Sequence, residues 1–436
     1  MISDPIEALI RNFQERGWES KPFDHVFNIA LDHPETIQRL AFEVMAQIPK
    51  GGTFFHAALS FLPMADWPSV VQYALNVIER DRTNEAAESV IAYASLQCLE
   101  ALHPHLRTIY RLAPNAGSCC REWPWRESGK ADFVPLRDII QDKSQKAEDR
   151  QQAWRCLLET RDIENLQFAV SQAPAIDLNF RLRELGLPQT LHVDHFLRLV
   201  GFECYEGRFR QLYKSHVLHL GFSPEYFLDR SWHSWFRRNH PTWTLTPRHR
   251  AVSGSISFGG QGEGECAVCG KTMHRLLRLD PVPPDLGVTD RAILDLETCL
   301  SCLGWEQPQL FYHHDHQGRA KNIGYEGPVK VPQFPMGPLR ATQVLLIDAG
   351  PRWRWQDWGH SNSRENLHRL GGHPCWIQGA DYPKCPTCHR RMQFLLQLDS
   401  DLPTMNSEEW FWGSGGICYC FWCDNCKVSG FLWQCT

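Results

Sequence analysis

The 436-residue chain is predicted to be an α+β multidomain protein. An N-terminal α-helical domain, solenoid-like or a bundle, is followed by a sheet-rich domain built on two duplicated Cys-x-x-Cys…Cys-x-x-Cys modules. Three observations predict this. Apolar residues recur at spacings of three and four up to about residue 175. Beyond about residue 245, Gly and Pro rise and short β-type runs replace the helical spacing. Within that second region, four Cys-x-x-Cys pairs fall in a frame that occurs twice. A chain of this length exceeds one ordinary core, and its 43% hydrophobic and 22% charged residues are those of a folded globular protein.

The helical elements come first. Pro5–Phe13, Thr36–Gln47, Ser69–Ile78, Asn84–Leu102 and Arg150–Leu158 carry the periodic apolar stripe. Asp32 and Asn84 stand where N-caps are expected, and Pro34, Pro49, Pro63, Pro68, Pro104 and Pro114 punctuate the breaks. Short turns between helices suggest stacked antiparallel pairs, although no strict repeat period is present. Asn115–Asp132, with Cys119, Cys120, Trp123 and Trp125, interrupts the pattern and reads as an ordered loop. The predicted domains are therefore residues 1–175, helical and repeat-like; 176–245, an aromatic-rich helical junction; and 246–436, β-rich, with modules at 258–302 and 370–436. Expected strands include Leu276–Leu279, Val344–Ile347, Phe394–Leu398, Cys418–Trp422 and Gly430–Gln434.

The duplication is specific. Copy one runs Phe258-Gly-Gly, Cys266-Ala-Val-Cys269, Met273, Leu276-Leu277, Asp280 and Cys299-Leu-Ser-Cys302. Copy two runs Leu370-Gly-Gly, Cys385-Pro-Thr-Cys388, Met392, Leu395-Leu396, Asp399 and Cys423-Asp-Asn-Cys426. The steps from the second cysteine to Met, and from Met to Asp, are identical in the two copies. Each Cys-x-x-Cys turn offers two thiolates to one ion, and four complete a tetrahedron. The expected ligands are thus Cys266, Cys269, Cys299 and Cys302 for one Zn²⁺, and Cys385, Cys388, Cys423 and Cys426 for a second. With every position taken by protein sulfur, no place remains for water or substrate, so both ions are expected to be structural. Disulfides and iron–sulfur binding are the competing readings of the same cysteines. Cys418 and Cys420, two apart on an expected strand, read as small buried apolar groups.

Other features carry less chemistry. His313-His314-Asp315-His316 could gather two imidazoles, yet reads first as a polar turn between strands. The Gly-rich run Gly259–Glu265 superficially resembles a phosphate loop, but its glycine spacing is wrong and its two Glu residues repel phosphate. The motifs of serine hydrolases, zincins and dinucleotide-binding folds are absent, so no catalytic residue is assigned. Asp280 and Asp399 read as turn formers. Trp353, Trp355 and Trp358 alternate with Arg352 and Arg354; this is either a partner-binding surface or a strand whose Trp face covers a core.

Net charge is −5, which leaves no electrostatic footprint for nucleic acid. The start of the chain lacks the pattern of a signal peptide, and no apolar run reaches membrane-spanning length. A cytoplasmic protein without a membrane partner is expected, and in that compartment paired cysteines favour metal over disulfides.

Leu370-Gly-Gly-His-Pro-Cys-Trp-Ile-Gln, Cys385-Pro-Thr-Cys388, Met392-Gln-Phe-Leu-Leu-Gln-Leu-Asp399, Trp412-Gly-Ser-Gly-Gly and Phe431-Leu-Trp-Gln, with the His240-Pro-Thr-Trp243 junction, resemble the cysteine-bearing branch of the YwqG-like family of bacterial proteins. The likeness covers about residues 245–436. It implies a sheet-rich α+β domain and no particular reaction; proximity of some relatives to secreted toxins implies an immunity role. Copy one departs from the family's Phe-Leu-x-Gln and Gly-Gly-x-Pro details, which implies a scaffold role for that copy. The expected function is a non-enzymatic, zinc-stabilised protein-binding protein, in its most concrete form an immunity protein that neutralises a toxin. The alternatives are a hydrolase-like enzyme with a site near Gly371, Gly372 and Asp399, and a nucleic-acid-binding zinc ribbon.

Overall fold

The computed structural model describes residues 4–112, 121–128, 133–176, 192–228, 240–243, 250–251, 256–348, 350 and 365–435. Two compact units, 1–200 and 201–436, divide the chain.

The first unit is helical, as expected. Its helices are α1 (Pro5–Arg16), α2 (Pro22–Asp32), α3 (Ile37–Gln47), α4 (His56–Leu59), α5 (Trp67–Arg80) and α6 (Glu85–Gln97). These are followed by α7 (Leu106–Leu112), α8 (Val134–Gln141), α9 (Ala147–Glu159), α10 (Ile163–Gln172) and α11 (Val193–Leu199). Local chemistry sets their ends. Asp4 caps α1 by accepting the Ile6 N–H at 2.9 Å, with Pro5 in the first turn. Asn84 caps α6 as expected: its Oδ1 accepts the Ala87 N–H at 2.9 Å while its Nδ2 donates to the Met45 carbonyl, also at 2.9 Å. Asp32 is not a cap; α2 continues through it, and the following helix starts after a 3₁₀ turn at Pro34–Thr36. Each stripe faces inward: α5 buries Val70, Val71, Ala74, Leu75 and Ile78. Trp154 is fully buried and donates from its indole to the Ala169 carbonyl at 2.8 Å, tying α9 to α10. Trp123–Trp125 forms a 3₁₀ turn with Trp125 buried; Cys119 and Cys120 lie outside the described residues.

The second unit begins at Gly201, not near 245, and this corrects the expected helical junction. Its first strands are β1 (Phe202–Tyr205), β2 (Arg208–Gln211) and β3 (Val217–Gly221). Then come β4 (Arg250–Ala251), β5 (Ile256–Phe258), β6 (Gln261–Glu265), β7 (Thr272–Leu279), β8 (Leu294–Thr298), β9 (Leu310–His314), β10 (Ala320–Ile323) and β11 (Thr342–Asp348). Copy two supplies β12 (Arg369–Gly371), β13 (Gln393–Asp399), β14 (Leu402–Pro403), β15 (Glu409–Trp410), β16 (Ile417–Cys423) and β17 (Val428–Gln434). All five strands anticipated above fall within these elements.

One large antiparallel sheet runs β10-β9-β17-β16-β13-β12-β3-β11-β5-β7-β6, with β8 added to β7 and β4 to β11. It curls toward closure. A Cβ placed on Gly264 of β6 would lie 2.9 Å from the Ala320 carbonyl oxygen of β10, so the two ends of the strand order nearly meet. The core inside contains Leu218, Leu220, Phe258, Leu277, Leu346 and Leu396. β3 explains the misplaced boundary. All five of its residues are buried, because it lies between β11 and β12 rather than at an edge.

The two copies share strand register as well as sequence. His274 of β7 pairs with Thr298, just before Cys299; Gln393 of β13 pairs with Trp422, just before Cys423. In copy one the register then shifts between Arg275 and Leu277, leaving Leu276 as the extra residue of a bulge. In copy two it shifts between Phe394 and Leu396, leaving Leu395 in the same place. A bulge bends its strand and increases local twist, so both modules curve alike. The paired glycines also match: a Cβ on Gly259 would lie 2.5 Å from the Arg340 carbonyl oxygen, and one on Gly371 2.0 Å from that of His216. Both have positive φ, so glycine is required at each turn.

Candidate metal centres

The knuckles follow from hydrogen bonding at the end of a strand. After β6, the Cys266 N–H donates to the Lys271 carbonyl at 2.8 Å and the Gly270 N–H to the Cys266 carbonyl at 2.7 Å. Before β13, the Cys385 N–H donates to the Arg390 carbonyl at 2.8 Å and the His389 N–H to the Cys385 carbonyl at 2.9 Å. The residue after each second cysteine, Gly270 or His389, is left-handed. Both thiols of a pair therefore point off the same side of a tight loop. The second knuckle of each module follows β8 or β16, and the shared register brings it beneath the first.

Cys266, Cys269, Cys299 and Cys302 gather into one group, and Cys385, Cys388, Cys423 and Cys426 into another. In each, the four sulfurs all lie within 4.8 Å of one another, and either group could hold a metal ion. Cys269 and Cys299 are 3.7 Å apart at sulfur, Cys388 and Cys423 3.6 Å. Sulfurs about 2.3 Å from a tetrahedral zinc ion are separated by about 3.8 Å, so the spacing fits. These are free thiols, not disulfides. Hydrogen bonding from neighbouring thiols holds the Cys266 thiol below its usual value, chiefly through Cys299 and Cys302, and the same sharing pushes Cys302 up through Cys266 and Cys299. Four thiolates cannot share so small a space unaided; a dication removes the conflict and deprotonates the set.

The two centres differ in cover. The four cysteines of the first are all buried, whereas Cys388 and Cys426 of the second are half-buried. Residues 328–338, rich in Pro, form a strap across the first centre. The Lys330 N–H donates to the Val268 carbonyl at 2.7 Å in one knuckle, and the Met336 N–H to Ser301 Oγ at 2.8 Å in the other. The Gln333 N–H donates to the Glu306 carboxylate at 2.9 Å just beyond it. Among the described residues, no segment hydrogen-bonds to both knuckles of the second centre.

A buried charge cluster beside the first centre was not foreseen. Arg275 grips Asp295 through Nε and Nη2, both at 2.8 Å, and Arg278 adds a bond at 3.1 Å. Glu297 accepts from the Glu263 and Gly264 N–H groups at 2.9 and 3.1 Å, and burial raises its carboxyl pKa. The Gly-rich run is therefore a strand that receives this carboxylate. The alternation Leu294-Asp-Leu-Glu-Thr298, a strand signal of period two, could have revealed the cluster.

Other candidate residues have definite places. The polar turn between strands is present at Asp315, whose Oδ1 accepts the Gln317 and Arg319 N–H groups, but His314 is not part of it: it ends β9 fully buried, with Nδ1 3.1 Å from the Gly318 carbonyl and Nε2 2.8 Å from Ser429 Oγ. Cys418 and Cys420 are buried as expected. Asp399 is fully buried and accepts the Ser400 N–H at 2.8 Å, while Ser400 Oγ receives the Trp412 N–H at 3.1 Å. Asp280 instead is exposed and precedes Pro281. Gly371 and Gly372 border fully buried Arg369, whose guanidinium donates to the Gly371 and His373 carbonyls. Within His240-Pro-Thr-Trp243, Thr242 Oγ1 accepts the Asn366 N–H at 2.9 Å. Trp353, Trp355, Trp358, Arg352 and Arg354 lie outside the described residues.

No family model matches the chain, and no solved structure does. A stretch of 68 residues is 41% identical to the uncharacterized protein YpfL of Salmonella typhimurium, covering 16% of this chain and 15% of that protein. The chain thus matches a small part of that relative's length. Among the described residues no helix is long and apolar enough to cross a membrane.

Proposed function

We propose that this chain is a non-enzymatic protein-binding protein whose sheet-rich unit is held in shape by two structural zinc ions. One observation carries the reading: eight thiolates form two closed sets, each offering four sulfurs at zinc spacing. Zinc is preferred to harder ions because all-sulfur tetrahedra select it. A saturated tetrahedron binds no substrate, so the ions would contribute folding free energy instead of Lewis acidity.

An aromatic surface supports the binding half of the proposal. Trp305 and Phe334, 4.7 Å apart at their ring centres, are 40% and 42% exposed; Val331 is 93% exposed. Trp433 packs behind Trp305 in a tilted arrangement, with ring centres 5.3 Å apart. Exposed clustered aromatics are the residue types that anchor protein interfaces. The partner proposed first is a cognate toxin, with this chain as its cytoplasmic immunity protein, a reading that rests on the resemblance of residues 245–436 to the YwqG-like family. Metal analysis of the purified chain should give two zinc ions. Co-expression with a toxin encoded beside its gene should protect the host, and Trp305→Ala with Phe334→Ala should abolish both protection and co-purification. A metal-free folded chain would refute the scaffold; two zinc ions without protection would refute only the immunity role.

A further inference from the structure

The two centres have the same ligands and the same register but unequal cover, and this inequality has chemical content. Each cysteine of the first is at most 7% exposed. The strap joins its knuckles from outside, bonding to Val268 between the first pair and to Ser301 between the second. In the second centre Cys385 and Cys423 are buried, but Cys388 and Cys426, one from each knuckle, reach the surface. Oxidation of a thiolate follows its accessibility. A zinc-bound sulfur keeps its nucleophilic lone pairs, so an exposed ligand is a target where a covered one is not.

We propose that Cys388 and Cys426 are a modification site, at which a hydroperoxide oxidises the second centre and releases its ion while the first survives. The inference rests on the zinc reading above. In the first step the Cys388 thiolate attacks one peroxide oxygen; the O–O bond breaks, a sulfenic acid forms, and hydroxide leaves. In the second, the Cys426 thiolate, within 4.8 Å, attacks that sulfur and displaces a second hydroxide as the S–S bond forms. The sulfurs lose two electrons and hydrogen peroxide gains them. Two protons from solvent convert the hydroxides to water. With two of four ligands removed, the zinc ion departs as the aqua ion. The first module, still strapped, keeps β7 and β8 in place.

The test uses the zinc-loaded full chain, hydrogen peroxide and a colorimetric zinc chelator. The first equivalent of zinc should appear roughly tenfold faster than the second. Mass spectrometry at that stage should show a Cys388–Cys426 disulfide, with Cys266, Cys269, Cys299 and Cys302 unmodified. Dithiothreitol with added zinc should restore the starting state. Ser301→Ala, which removes a strap anchor, should hasten the second phase and leave the first alone. Release of both ions at one rate would overturn the inference, as would earlier oxidation of the first centre or loss of zinc with Cys388 and Cys426 intact. A chain that reconstitutes with fewer than two zinc ions overturns the scaffold reading itself, before peroxide is added.

Discussion

Thr289, in the loop after β7, and Asp424, between the last two ligand cysteines, are bonded twice across the duplicated halves. The Thr289 N–H donates to Asp424 Oδ1 at 2.8 Å and its hydroxyl to Oδ2 at 2.5 Å. Lys427 Nζ closes the group, donating to the Thr289 carbonyl at 2.9 Å and to Asp424 Oδ1 at 3.0 Å. Thr289→Val keeps the volume and removes the hydroxyl. Because Asp424 is about one-third exposed, the loss should be about 1 kcal/mol, read as a lower urea midpoint with unchanged zinc content.

Replacing Cys423 and Cys426 by Ser should unfold the second module, because structural zinc supplies on the order of 10 kcal/mol. The expected result is loss of near-ultraviolet circular dichroism and of amide protection in β13, β16 and β17. A folded double variant with native protection there would contradict the structural role.

His314 should make the second unit acid-sensitive. Burial lowers its pKa to about 4 from the usual 6.5, outweighing the Gly318 carbonyl and nearby Asp295, which favour the cation; His313 and Arg291 oppose it. Since the folded pKa lies below the unfolded one, the unfolded chain binds more protons between these values. The stability His314 contributes is therefore full above pH 6.5 and lost as pH falls toward 4, on the order of 3 kcal/mol in all. His314→Gln should be less stable at neutral pH yet show a flatter decline over that interval in chemical-denaturation curves.

Arg369→Met should cost about 3 kcal/mol or more, because it removes a fully buried guanidinium that donates to both the Gly371 and the His373 carbonyls. Thermal unfolding monitored by tryptophan fluorescence would register this, and Arg369→Lys should recover little, lacking the planar fork.

In the helical unit, Asn84→Ala removes a cap and leaves the Met45 carbonyl without its donor. A loss of about 1–2 kcal/mol is expected, seen as earlier loss of far-ultraviolet ellipticity.

Much of this architecture was legible before the coordinates. Cysteine spacing identified both thiolate sets, because ligand geometry restricts the loops that can present them. The equal spacing of Met, Leu-Leu and Asp in the two copies marked them as one repeated unit; the common register, with Leu276 and Leu395 in equivalent bulges, appears only in the pairing of the strands. β3 was hidden because a run of five residues buried on both faces, with His219 at its centre, has no in–out alternation to distinguish it from helix. Asp32 misled because a helix can run on through a good capping residue when the next turn is 3₁₀. The burial of His314 depends on Gly318 and Ser429, the second of them over a hundred positions away, and no local pattern reports such a partner. The strap was missed for a similar reason: its backbone bonds to the knuckles leave no periodic trace.

The strand order has a bearing on synthesis. β9 is bonded on one side by β10, its near neighbour, and on the other by β17. While the ribosome is still making the intervening segment, roughly a hundred residues long, that second side of β9 has no native strand to meet, and β3 waits similarly for β11 and β12. Such long-range pairing is slow and leaves edges open to aggregation. An early-captured ion at Cys266–Cys302 would give the nascent sheet a finished half against which the later strands could assemble.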